Sequence, residues 1–156
     1  MSLFMSIHEA AREGNAKRVL KLLEKGVDPD ESDDKGATPL YSACRAGHRE
    51  VIACLLDFDA DPSIPTSAGD TPLYRAAQEG HIGVVRMLLA AGAEVDLRTR
   101  KGATPLMIAA REGHASIVKL LLEYKAGIDE RCRQGRTPLF FAIDNGRKQV
   151  VDVLLE

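Results

Sequence analysis

The stretch Gly69 to Ala93, G-D-T-P-L-Y-R-A-A-Q-E-G-H-I-G-V-V-R-M-L-L-A-A-G-A, carries the signals for one helix, a tight stop and a second helix. Thr71 is suited to accept a hydrogen bond from an orphan amide of the first turn. Pro72 has no amide to waste and a preset φ, so a helix starts there. Gly80 can take the left-handed conformation that closes a helix C-terminus about ten residues later. Beyond it Val84, Val85, Leu88 and Leu89 share one face of a second helix. Two short antiparallel helices and a loop follow from these residues alone.

The pattern echoes along the whole chain. Thr38-Pro39-Leu40, Thr71-Pro72-Leu73, Thr104-Pro105-Leu106 and Thr137-Pro138-Leu139 recur every 33 residues, as do Gly14, Gly47, Gly80, Gly113 and Gly146, and Ala10, Ala43, Ala76, Ala109 and Ala142. Self-similarity at that period marks a repeat architecture. Five units are expected, at approximately 3–35, 36–68, 69–101, 102–134 and 135–156, forming a single domain over 1–156. No unit can bury its apolar face alone, so units must stack on their neighbours. Segments such as Gly92 to Lys101 are rich in turn formers and are expected to project as hairpins.

Composition narrows the function. Twenty-one basic and 23 acidic residues nearly cancel to a net charge of −2, which argues against a nucleic-acid partner. Cys44, Cys54 and Cys132 are odd in number and lack C-x-x-C spacing, so neither a disulfide framework nor a zinc site is expected; a reducing, intracellular compartment, cytoplasmic or nuclear, fits. No apolar run approaches the roughly 18 residues of a membrane span. Met1 to Ala10 is too short and too charged for a signal sequence. Met5 is a second methionine, which leaves Met1–Phe4 as candidates for non-native residues.

The motif G-x-T-P-L-x-x-A-x-x-x-G-H, followed by V-V-x-x-L-L-x-x-G-A, resembles the ankyrin repeat over essentially the full chain. The resemblance implies an all-α solenoid of paired antiparallel helices joined by β-hairpin-like loops. It also implies a concave protein-binding surface formed by first helices and hairpin tips. The family's His after T-P-L is replaced here by Tyr41, Tyr74, Met107 and Phe140, and only His8 keeps it. The first unit starts with Ser6 and Glu9, a capping-box pair, and carries Arg18 and Lys21 where later units are apolar, as expected for an end facing water. The last unit keeps Val150, Val151, Val153 and Leu154 as core up to Glu156, which leads to the expectation of a fragment of a longer protein. A monomer is expected, with end-to-end association open to that uncapped end. The loop glycine seen at Gly26 and Gly92 is replaced by Asp59 and Lys125; a positive φ at Lys125 would cost roughly 1 kcal/mol, with Gly127 as an alternative place for the turn.

Catalysis finds no support. His48, His81 and His114 recur one per unit, too far apart to share a metal ion, and the resemblance implies that they bridge units by hydrogen bonds. Asp28 to Gly36 lacks the glycine and glutamate that a calcium loop needs at its sixth and twelfth positions. The four Thr-Pro pairs read as caps rather than kinase targets. Cys44 and Cys54 read as small buried hydrophobes, and Cys132, between Arg131 and Arg133, is the single thiol with a basic setting. No phosphate-binding loop, nucleophile elbow or zincin helix is present, and no cofactor or metal is expected.

Residues between the fixed positions mark the free face of each first helix: Ser42, Arg45 and Ala46; Arg75, Gln78 and Glu79; Ile108, Arg111 and Glu112; Phe141, Asp144 and Asn145. Charge also changes along the chain. The first hairpin has Asp28, Asp30, Glu31, Asp33 and Asp34, whereas later ones have Arg98, Arg100 and Lys101, then Arg131, Arg133 and Arg136. Arg75, Gln78, Ile108, Arg111 and Phe141, with Arg100, Arg133 and Arg136 at the tips, are therefore the candidate contacts for a partner protein. That partner is expected to offer an acidic segment with an apolar anchor. The alternative is a substrate-recruiting region of a multidomain enzyme, such as a ubiquitin-ligase component or a kinase.

Overall fold

Each threonine of the repeat caps a helix in the computed structural model, which describes residues 5–156; the expectation about Met1–Phe4 lies outside the described residues. Thr38 Oγ1 accepts from the Tyr41 amide at 3.1 Å, Thr71 from Tyr74 at 3.1 Å, Thr104 from Met107 at 3.3 Å and Thr137 from Phe140 at 3.3 Å. Each proline follows at the first helical position. The described residues form ten helices: α1 Ile7–Glu13, α2 Ala16–Glu24, α3 Pro39–Ala46, α4 Arg49–Asp57, α5 Pro72–Glu79, α6 Ile82–Ala90, α7 Pro105–Glu112, α8 Ala115–Glu123, α9 Pro138–Asp144 and α10 Lys148–Leu154. Helices this short are marginal alone in water and depend on packing. Odd-numbered helices pack on one another in sequence, even-numbered ones form a second row, and each pair closes on itself. The fold is an all-helical solenoid of helix pairs.

The hairpins contain no strand among the described residues. They are tight turns in which the Thr66 amide bonds the Asp70 carbonyl and the Thr99 amide the Ala103 carbonyl, both at 2.9 Å, with equivalents at Asp33 and Cys132.

Stacking is specified by polar contacts repeated once per unit. His48 Nε2 donates to the Arg12 carbonyl at 3.0 Å, His81 to Arg45 at 3.2 Å and His114 to Gln78 at 3.1 Å, which is the bridging expected of them. In the fifth unit Arg147 Nε takes over this role, donating to the Arg111 carbonyl at 3.0 Å. The ring or guanidinium lies against the glycine closing the preceding first helix. A Cβ on Gly80, whose φ is +80°, would stand 2.8 Å from His114 Cε1. These glycines are required both by backbone conformation and by close approach. A second ladder runs along the loops: Asp30 accepts from the Asp61 amide at 2.9 Å, Ser63 from Glu94 at 3.1 Å and Asp96 from Gly127 at 3.1 Å.

The apolar sets named from sequence, including Val51, Ile52, Leu55, Val84, Val85, Leu88, Ile117, Val118 and Leu121, lie buried in one continuous core. Cys44 is fully buried within it, which pushes its thiol well above the ordinary range. Lys125 and Asp59 have φ of 69° and 62°, so the left-handed turn stays at Lys125 and does not move to Gly127.

The two ends differ. In the first unit Ser6 accepts from the Glu9 amide at 3.1 Å, and Lys21 is exposed. Arg18 is only half-exposed, because its Nε turns toward the Met5 carbonyl at 3.4 Å. In the fifth unit Val150, Val153 and Leu154 are buried, while Ile143 and Leu155 are 61% and 68% exposed.

Candidate functional site: a basic cleft across the last three units

Between the tips and first helices of the third to fifth units lies a cleft of about 480 Å³. Arg100, Ile108, Arg111, Arg133, Arg136 and Phe141, six of the eight residues singled out from sequence, line it together with Lys101, Tyr74 and Met107. Turn geometry positions the tips, since the Arg133 amide bonds the Lys101 carbonyl at 3.1 Å and ties one tip to the next. α7 and α9 position the rest.

Ile108 departs from its expected part as an exposed anchor. It is only 3% exposed, because α7 is packed between α5 and α9, and it belongs to the floor of the cleft. Met107 beside it is also buried. Phe141 is half-buried and meets Phe140 edge-on at 5.9 Å, while the Arg136 guanidinium stands 4.8 Å over the Phe140 ring. A cation so placed is held by the ring's quadrupole rather than by an acid.

Arg75 and Gln78 are not part of this cleft's lining, and Arg75 is committed elsewhere. Its Nε donates to Tyr41 Oη at 3.0 Å, one terminal nitrogen donates to Asp70 Oδ2 at 3.2 Å, and the other donates to Gln78 Oε1 at 2.9 Å and pairs with Glu79 at 3.6 Å. Burial works against the charge. The Tyr41 bond and the carboxylates of Asp70 and Glu79 outweigh it, and the guanidinium is held above its ordinary pKa. The network ties the second unit to the third and uses every nitrogen of the group.

The cleft cations have no such satisfaction. Among the described residues Arg100, Lys101, Arg111, Arg133 and Arg136 form no ion pair, and Asp144 is the one carboxylate among the lining residues. Two further tip arginines are occupied: Arg98 pairs with Glu130 and donates to the Arg131 and Gly102 carbonyls, and Arg131 donates to the Gly135 carbonyl. The phenol of Tyr74 is pushed up, chiefly by burial and then by Asp70, so it stays protonated and able to donate. Tyr74 and Met107 were legible only as departures from the family's histidine, yet both line the cleft.

Cys132 also lines the cleft, in the turn position held by Thr66 and Thr99 in earlier units. Among the described residues no three His, Cys, Asp or Glu side chains come together to hold a metal, and no helix is long and apolar enough to cross a membrane.

The family model for ankyrin repeats, three copies, matches residues 7–99 and again 91–156. A search of curated proteins finds no relative that matches. Ankyrin repeats generally serve as protein–protein interaction modules and are typically not catalytic themselves. Matched over residues 7–156, with every unit folded as a helix pair, this chain belongs to the ankyrin-repeat family.

Proposed function

We propose that this chain binds a partner protein in the cleft between its third and fifth units, and that the partner presents an acidic segment carrying an apolar anchor. One observation carries the reading: five cations that form no ion pair among the described residues line a cleft with an apolar floor, against a single lining carboxylate. Unpaired charge of one sign in a concave site favours association with the opposite sign and sets its salt dependence. The floor of Ile108, Met107 and Phe141 gives an apolar side chain a place to lose water.

The test is affinity capture with the native chain and with the double variant Arg111→Glu/Arg133→Glu, followed by titration of the captured protein at several salt concentrations. The native chain binds more weakly as salt rises. The variant loses at least ~10-fold in affinity and most of that salt dependence. Equal affinity of the two at low salt removes the cleft from the binding surface.

A further inference from the structure

The third unit contains a template for the ligand of the fourth. Tyr41, Asp70, Arg75 and Gln78 form a closed group in which Asp70 Oδ2 lies 3.2 Å from the guanidinium and 3.5 Å from Tyr41 Oη. One repeat later the same four positions are Tyr74, Ala103, Ile108 and Arg111. The guanidinium has moved one helical turn along, from the row of Arg75 to the row of Gln78, and the carboxylate is gone.

The backbone that would carry the carboxylate is unchanged. Thr66 and Thr99 bond the carbonyls of Asp70 and Ala103 at 2.9 Å, and their hydroxyls accept the amides of Asp70 and Ala103 at 3.3 and 3.2 Å. A side chain at 103 therefore leaves the turn in the direction that Asp70 takes. In the third unit a single guanidinium reaches both Asp70 and Gln78, so the ends of those two rows lie within one guanidinium's span. Arg111, in the row of Gln78, lines the same cleft as Ala103 and is close enough to Tyr74 for its charge to act on the phenol. Tyr74 stands where Tyr41 does, with no hydrogen-bond partner for its hydroxyl among the described residues.

We infer that the space over Ala103, between the Tyr74 hydroxyl and the Arg111 guanidinium, is a carboxylate subsite that an aspartate or glutamate of the partner fills as Asp70 fills its counterpart one unit earlier. This rests on the acidic-segment reading of the cleft and adds where one acid sits and which groups hold it. The floor at Ile108 then lies beside that acid, so the anchor of the partner is a near neighbour of the carboxylate.

An internal carboxylate should compete with the ligand's. The probe is a short peptide with one leucine flanked by glutamates, compared with its glutamine counterpart, and binding is followed by amide chemical shifts to millimolar concentration. Ala103→Asp, which places in the fourth unit the residue that the third already carries, is expected to weaken the glutamate peptide by at least ~10-fold. Gln134→Asp adds the same charge to an exposed tip of the same cleft and is expected to weaken it by no more than about 3-fold. Equal losses in the two variants, or no loss in Ala103→Asp, overturn the subsite and leave the acidic reading intact. If the native chain shows no preference for the glutamate peptide, the acidic reading fails and the subsite with it.

Discussion

The third and fourth units share one backbone and handle an arginine in opposite ways. In the third, Arg75 is enclosed by Tyr41, Asp70, Gln78 and Glu79, and the group works as a clasp between units. In the fourth, Arg111 lines a cleft whose one carboxylate is Asp144, and among the described residues it forms no ion pair. The difference comes from three positions, Asp70 against Ala103, Arg75 against Ile108 and Gln78 against Arg111. It teaches that in a repeat scaffold an arginine is read as structural or recognitive only by asking what the neighbouring unit offers it.

The shared frame is the first thing to break. Gly80→Ala would force a left-handed alanine and push a Cβ to within 2.8 Å of His114, at the stack between these two units. A loss of about 3 kcal/mol is expected from urea unfolding. Gly146→Ala, with a φ of +66° and nothing within 4 Å, should cost only about 1 kcal/mol. Similar losses in both would mean that the histidine contact does not govern stacking.

The clasp itself is next. Arg75→Ala leaves Asp70 and Tyr41 half-paired in a partly buried site and should lower stability by about 1–2 kcal/mol. Arg111→Ala should change it by less than about 0.5 kcal/mol. Equal effects in thermal or urea unfolding would erase the distinction drawn between the two residues.

Smaller effects lie in the loops on either side. Lys125→Gly relieves a non-glycine residue at φ 69° and should raise stability by about 0.5–1 kcal/mol; an unchanged or lower denaturation midpoint would count against strain there. At Asp33 burial opposes the charge, but the amides of Ala37 and Lys35, both at 2.9 Å, hold the carboxyl below its ordinary range. A depressed folded pKa contributes stability above the unfolded value, near pH 4, which is lost as pH falls through the folded value. Asp33→Asn should therefore flatten the acid limb of the stability profile slightly, and an unchanged limb would show that the carboxylate's charge contributes nothing.

Much of the fold was legible because the 33-residue spacing of Thr-Pro-Leu and glycine states helix starts, stops and stacking at once. The site was legible only in outline. Row positions along a helix show which side chains face one way, and six of the eight residues so chosen do line the cleft. They do not show satisfaction by a neighbour. Arg75 looked free because Tyr41 lies 34 residues away, while Asp70 sits in the preceding turn, outside the helix face from which the stripe was read. Ile108 looked exposed for a related reason, since burial between α5 and α9 belongs to the stack and not to one helix. Arg147 escaped the histidine row because a guanidinium does the imidazole's work there.

In the proposed complex Arg111 meets an acid of the partner, whereas Arg75 is already paired with Asp70. Side-chain Nε–Hε resonances of both arginines, followed by NMR during titration with the glutamate–leucine peptide, test it directly. A saturable shift is expected at Arg111, with Arg75 unmoved. A shift at Arg75, or none at Arg111 while other residues respond, would contradict it.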